Sequence, residues 1–206
     1  MPALLNFTIA KLGGSLLDLP DLPRRISLLL DQFDVNPAVI VVGGGEIAER
    51  VRLWQRMHKF SDDVAHDLAI EAMNLNAGLL VASDDRLQLV ENSSEAMELS
   101  DHAVGVLNVS AAIRRLEETL PPLPRSWDMT SDSIAAWFAT AWSCGRLLML
   151  KSVELPAGQV RCELPALSEA GFVDHCFPEY ATGLNELLWC NVRAKMPSLR
   201  KLPLDS

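Results

Sequence analysis

The chain has 206 residues, 49% hydrophobic and 22% charged, with a formal net charge of −9 and an isoelectric point near 4.9. That length supports one domain with a substantial core, or one domain with a small lobe. The acidic balance disfavours nonspecific nucleic-acid binding, yet a local basic pocket for an anionic metabolite remains compatible with it. No apolar run approaches the ~20 residues of a bilayer span, and Met1 to Thr8 lacks the basic start and apolar stretch of a signal peptide.

Cys144, Cys162, Cys176 and Cys190 form no CxxC pair, so reduced thiols in a cytoplasm fit better than zinc or disulfides. The neighbours His175 and Cys176 alone do not make a metal site.

In chain order, Asn6 to Leu12 reads as a strand ending at Gly13-Gly14. Pro23 opens a helix whose apolar positions Ile26, Leu29, Leu30 and Phe33 recur at helical spacing. Ala38 to Val42, "AVIVV", has no polar alternation, as expected of a parallel strand buried on both faces. It enters Gly43-Gly44-Gly45, and a helix follows over about Glu46 to Lys59.

Ser61, Asp62 and Asp63 start a further helix, with Val64, Leu68, Ala72, Leu75 and Leu79 on one side as its expected core face. Leu87 to Val90 and His102 to Leu107 read as strands, and Ser110 to Leu120 as a helix stopped by Pro121, Pro122 and Pro124. A helix begins near Ser131 and stops at Gly145. Arg146 to Lys151 and Leu187 to Val192 complete the strands. Strands alternating with helices predict an α/β sandwich around a mainly parallel sheet, with residues 1–206 as a single domain.

Ligands of such sheets collect at the carboxyl ends of the strands. There lie Lys11 to Ser15, Gly43 to Gly45 and Lys151 to Glu154, while Trp127 to Asp132 opens a helix. Glycines admit phosphate oxygens to backbone N–H groups, helix starts add positive potential, and lysines neutralise charge on a transferring phosphoryl group. A P-loop and a GxSxG elbow are absent, and Gly43 to Ala48 meets only the looser dinucleotide fingerprint.

"KLGGSLL", "VIVVGGGEIA", "MTSDSIAAWFA" and "LLMLK" occur in that order over residues 10 to about 154. Together they resemble the amino acid kinase family, and "PRSWDMTSDSIAAW" resembles most a short branch containing the archaeal kinase of methanofuran biosynthesis, which phosphorylates aminomethylfuran-methyl phosphate. The resemblance implies a three-layer αβα sandwich of the carbamate kinase-like fold, and phosphoryl transfer from ATP, with Mg2+, to a small anionic acceptor. By that likeness Lys11, Asp132 and Lys151 are catalytic, Asp132 organising the lysines. Gly13, Gly14, Ser15, Gly43, Gly44, Gly45, Thr130 and Ser131 would hold phosphate or acceptor. Residues 1–144 would form the acceptor part and 145–206 a reduced nucleotide part. The chain departs from the family's Asp-Gly pair past the strand, reading "KSVELPAGQ" instead. A noncatalytic oxoanion-binding protein and a carboxylate kinase are the rival readings.

Other features divide between structural and functional roles. Arg50, Arg52, Arg56 and Lys59 read as a solvated basic face, and His66 as a packed helix residue more than an acceptor contact. Trp127 suits an acceptor pocket or the core equally. Trp137, Phe138 and Trp142 suit the core or a subunit contact and, with the family likeness, predict a homodimer or larger assembly.

Overall fold

Strand β1 (Thr8–Leu12) is buried at every position, and so is β2 (Ala38–Val42), its parallel neighbour. Burial of both faces requires a helical layer on each side, which is why these strands are apolar throughout rather than alternating. The computed structural model describes residues 7–33, 38–100, 102–156 and 163–204.

Those residues build one seven-stranded sheet in the order β3-β4-β2-β1-β5-β6-β7, from β3 (Leu87–Val90), β4 (Val104–Leu107), β5 (Arg146–Lys151), β6 (Glu186–Asn191) and β7 (Arg200–Leu202). All pairs are parallel except β6 with β7. The chain builds outward from β1 through β2, then returns to place β5 on the other side of β1. The order therefore reverses between β1 and β5, the place where open α/β sheets bind ligands.

On one face lies α1 (Leu22–Gln32), whose Ile26, Leu29 and Leu30 pack on Ala10, Leu12, Ile40 and Val42. The other face carries α5 (Val109–Leu116), α6 (Ser131–Ala141), α7 (Leu164–Glu169) and α8 (Phe177–Tyr180). Phe138 and Phe177 are fully buried there against Ile9, Val41, Leu147 and Met149. Two further helices, α2 (Gly45–His58) and α3 (Asp62–Val81), pack on each other, and a short α4 (Ser93–Met97) follows β3. The expected three-layer αβα sandwich is therefore what forms.

Several boundaries differ from the sequence reading. Asn6, Cys162 and part of "KSVELPAGQ" lie outside the described residues. The fourth strand starts at Val104 rather than His102, and α5 ends at Leu116, before the prolines, with Glu117 as its C-terminal cap. Ser143, at φ 54, takes the left-handed turn two residues ahead of Gly145, which is also left-handed at φ 62. β7, α4, α7 and α8 carry too short a periodicity to announce themselves.

The larger correction concerns α3. Ser61 caps it as expected, accepting from Val64 N. Yet Val64, Leu68, Leu75 and Leu79 face outward, the last two 63% and 58% exposed. The buried side is Ala65, Ile70, Ala72, Met73, Ala77 and Leu80. Both sides of this helix are apolar, so periodicity cannot choose between them. Small alanines allow close approach, and packing buries that side.

Candidate active site

Side chains alternate across a strand, so Ile9 and Lys11 of β1 share the α6 face. The register pairs Lys11 with Met149, and Lys151 lies two residues beyond Met149 on the same face of β5. Both lysines therefore point from the reversal between β1 and β5 toward the N-terminal end of α6. Asp132 sits in the first turn of that helix and reaches down between them. Its Oδ1 lies 2.7 Å from Lys11 Nζ and its Oδ2 2.7 Å from Lys151 Nζ. All three side chains are buried or nearly so, Lys11 and Asp132 at 5% exposure each.

Two ammonium groups around one carboxylate leave a surplus positive charge. Burial works to raise the Asp132 pKa, but Lys11 and Lys151 outweigh it and hold the carboxyl at about 2. Burial, reinforced by Lys11, brings the Lys151 pKa down to about 8 against the pull of Asp132. Lys151 Nζ also donates to the Phe172 carbonyl at 2.9 Å and stands 5.4 Å from the Trp189 ring centroid. The Lys11–Asp132–Lys151 trio thus carries one surplus positive charge, with the Asp174 carboxylate as a further negative group acting on Lys151.

The glycine loops form the roof. Gly13 N donates to Leu150 O and Gly43 N to Leu12 O, both at 2.8 Å, which extends the sheet pattern into the loops. Gly14 and Gly45 then touch backbone to backbone. A Cβ on Gly14 would stand 2.3 Å from Gly45 N, and Gly45 itself has φ +52. Both positions exclude a side chain, one by space and one by backbone conformation. Gly44 caps α2, whose first turn borders the same space. Ser131 Oγ approaches Gly43, and Ser15 Oγ donates to Ser152 Oγ at 3.0 Å.

Beside this roof opens a cavity of about 730 Å³, bordered by Gly14, Gly45, Arg52, His66, Trp127 and Thr130 among others. Arg52 stacks 4.4 Å over the Trp127 ring, and Trp127 Nε1 donates to Gln55 Oε1 at 2.6 Å. The buried Nε of Arg52 has no acceptor among the described residues.

The profile of the amino acid kinase family matches residues 6–154. The chain belongs to that family. The solved structures similar to this amino acid kinase family member include a uridylate kinase from Archaeoglobus fulgidus, at 18% identity and TM-score 0.61 over 88% of each chain. An aspartate kinase from Synechocystis is similar at 14% identity and TM-score 0.65, with 97% of this chain covering 40% of that one. A UMP kinase from Bacillus anthracis is similar at 13% identity and TM-score 0.59, over 94% and 90%. At these identities the structures establish the fold. No curated protein matches at the level of sequence.

In this family member, the sequence-selected Lys11, Asp132, Lys151, Gly13, Gly14, Ser15, Gly43, Gly44, Gly45, Thr130 and Ser131 converge on one end of the sheet. Thr130 carries a qualification: its hydroxyl donates to Asp174 at 2.7 Å, so it can only accept from a ligand. Arg52 leaves the solvated basic face assigned to it, because Trp127 holds it at the cavity; Arg50, Arg56 and Lys59 are exposed. His66 is buried, with Nδ1 3.3 Å from the Ser126 carbonyl, and it borders the cavity. Burial lowers its pKa and favours the neutral ring.

Sequence reasoning missed Asp174, the Phe172 carbonyl and Arg193. Arg193 donates to Ser15 O at 2.7 Å and pairs with Asp18 at the cavity mouth. No local pattern marks any of the three. Among the described residues no three His, Cys, Asp or Glu side chains gather as metal ligands, and Cys144, Cys176 and Cys190 are free thiols. No helix among them is long and apolar enough to cross a membrane.

Proposed function

We propose that this protein is a cytoplasmic small-molecule kinase that transfers the γ-phosphoryl group of ATP to an anionic, phosphate-bearing acceptor. The observation that carries this reading is the buried Lys11–Asp132–Lys151 cluster, one positive charge in excess, under two interlocked glycine loops. An acceptor oxygen attacks the γ-phosphorus, the bond to the β-bridging oxygen breaks, and ADP leaves. Charge on the transferring group is met by Lys11 and Lys151, held by Asp132, and by N–H groups of Gly14, Ser15, Gly44 and Gly45, while the Gly13 and Gly43 N–H groups stay bonded to Leu150 O and Leu12 O and only shape the loops.

The cavity beside Thr130 and Ser131 takes the acceptor, and the guanidinium of Arg52, which also pairs with Glu49 at 3.4 Å, borders it as a cation for the acceptor's anion. Residues 1–144 form the acceptor part and 145–206 the nucleotide part. Among the described residues no carboxylate or histidine cluster gathers for a metal, so Mg2+ would be carried by the nucleotide phosphates and would supply charge neutralisation there. The acceptor chemistry, on the strength of "PRSWDMTSDSIAAW", belongs to synthesis of a methanofuran-like C1-transfer cofactor.

Calorimetry of ATP with Mg2+ on wild type and Lys11→Ala tests the reading. Micromolar binding weakened by the mutation, followed by transfer to a phosphorylated acceptor, is expected; no binding at millimolar ATP overturns it. Glu154-Leu155 near the position of the family's Asp-Gly pair favours one rival, a noncatalytic oxoanion-binding protein, which the second outcome selects. A hydroxylamine trap distinguishes a carboxylate kinase by its acyl phosphate.

We further propose a homodimer, seated on α3 rather than on the aromatics of α6. Phe138 and Trp142 are buried and Trp137 packs against the core, so those rings are committed within the chain. The exposed Val64, Leu68, Leu75 and Leu79 fit a second copy instead. Exposed Asp62, Asp63 and Asp67 begin α3, while exposed Arg50, Arg56 and Lys59 lie on or beside α2. Light scattering at micromolar concentration should give twice the chain mass; a monomer mass refutes it.

A further inference from the structure

We propose that Asp174 is a positioning residue for phosphoryl transfer, acting from the loop after α7 to fix the N-terminal turn of α6, and with it Asp132, against the two lysines. The proposal rests on the kinase reading above. Helix α6 has no side-chain cap of its own, for Thr130 makes no capping bond within the helix. Its first-turn donors go to Asp174 instead. Asp174 Oδ2 accepts from Thr130 N at 3.1 Å, Thr130 Oγ1 at 2.7 Å and Ser133 N at 3.0 Å, while Oδ1 accepts from Ser133 Oγ. The carboxylate also stands at the positive end of the helix dipole, where a negative charge is favoured.

A local cap would satisfy those N–H groups just as well. A cap from 41 to 44 residues away does something more, because it ties the helix to another element. That element holds Lys151. The Phe172 carbonyl, two residues before Asp174, accepts from Lys151 Nζ at 2.9 Å. The loop is itself anchored, since Ser168 Oγ donates to Asp174 O at 3.1 Å and Cys176 N to Asp128 O at 3.1 Å. One short stretch, residues 172–174, thus grips both the helix that carries the acid and the ammonium that the acid binds.

Asp174 also acts on that ammonium through space. The charged groups facing Lys151 are Lys11 of β1, Asp132 of α6 and Asp174 of the loop. Burial and Lys11 depress its pKa, and the two carboxylates raise it. Neutralising Asp174 should therefore lower the Lys151 pKa further. A neutral cap, or a carboxylate remote from Lys151, would not have that effect.

The decisive comparison is Asp174→Asn with Ser133→Ala, read by steady-state kinetics across pH and by the pH dependence of Lys151 acylation, followed by mass spectrometry. Asp174→Asn should lower kcat about tenfold to a hundredfold, as misplacement of a reacting group does, with little change in the KM for ATP. The alkaline limb of kcat/KM and the acylation midpoint should both move to lower pH. Ser133→Ala keeps the carboxylate, so it should cost less in kcat and leave both midpoints in place. A folded Asp174→Asn protein with wild-type kcat and an unmoved midpoint overturns the proposal.

If that variant does not fold, Asp174→Glu decides. It keeps the charge on a longer arm, so a reduced kcat at an unmoved alkaline limb is required, and wild-type kcat overturns the proposal. The acylation readout needs no activity. A wild-type protein that transfers no phosphoryl group refutes the kinase reading, whereas an active wild type beside an Asp174→Asn protein with wild-type kcat and an unshifted acylation midpoint refutes the role of Asp174.

Discussion

The two flanks of Lys11 are built by different means. On the β2 side, the site is backbone: Gly14 and Gly45 meet across two adjacent loops with no room for a Cβ. On the β5 side, it is side chains and a borrowed carbonyl: Lys151 donates to Asp132 and to the Phe172 carbonyl, and Asp174 caps the helical turn that carries Asp132. A backbone cradle is rigid, indifferent to pH and intolerant of added volume. A side-chain clamp tolerates volume better but depends on charge. The two flanks should therefore fail differently when perturbed.

The largest effect should come from the residue that joins them. Asp132→Asn leaves two buried ammonium groups without their counterion. Turnover should fall roughly 100-fold or more, and stability by about 3–5 kcal/mol, the scale for breaking a buried ion pair. Kinetics and denaturant melts check both, and a wild-type melt with wild-type turnover would remove Asp132 from the cluster's energetics. Lys11→Ala should cost a similar factor in turnover, roughly 100-fold, because transition-state charge loses one of its two ammonium partners.

The glycine flank comes next. Gly14→Ala places a Cβ inside the Gly45 backbone, and overpacking of this kind costs about 1–3 kcal/mol. Nucleotide binding by calorimetry should weaken in parallel at every pH. A pH-dependent loss would mean that the two flanks do not divide as described.

The clamp flank should titrate. The Lys151 pKa of about 8 lies below its ordinary 10.5. As pH rises through 8 the ammonium is lost and kcat/KM should fall, since that ratio reports the free enzyme. Nucleotide phosphates favour the ammonium, so kcat should fall at higher pH than kcat/KM. Stability moves the other way. From about 8 to 10.5 the unfolded chain binds the proton that the folded chain has shed, so the contribution of Lys151 rises with pH. Asp132 acts at the acid end: held near 2 from an ordinary 3.8, its contribution is full above that value and drains away as pH falls toward 2. Coincident rises of activity and stability above pH 8 would contradict the assignment. The smallest effect on chemistry should come from Leu75→Glu on the outer face of α3, which should yield a monomer with its nucleotide affinity intact.

Much of this protein is decided locally. "AVIVV" commits β2 to burial whatever surrounds it, because a run of β-branched residues with no polar alternation suits only a sheet covered on both faces. Lys11 and the glycines are legible for a similar reason, as a cation and bare backbone at strand ends have few structural uses. Asp132 is legible as an acid in a first helical turn, although its partners are not. The outward face of α3 shows the limit. Val64, Leu68, Leu75 and Leu79 form as good an apolar stripe as Ala65, Ala72, Met73 and Leu80, and only packing determines which is buried. Asp174 shows it more sharply. Its four hydrogen bonds span 41 to 44 residues, and nothing near it in sequence distinguishes it from any loop aspartate. Local chemistry is written in neighbouring residues, so the sequence by itself determined the longer elements, the sheet type and the glycine loops at the strand ends. Which carboxylate caps which helix, and which apolar face meets solvent, depend on how those elements come together, and the tertiary structure alone decided them.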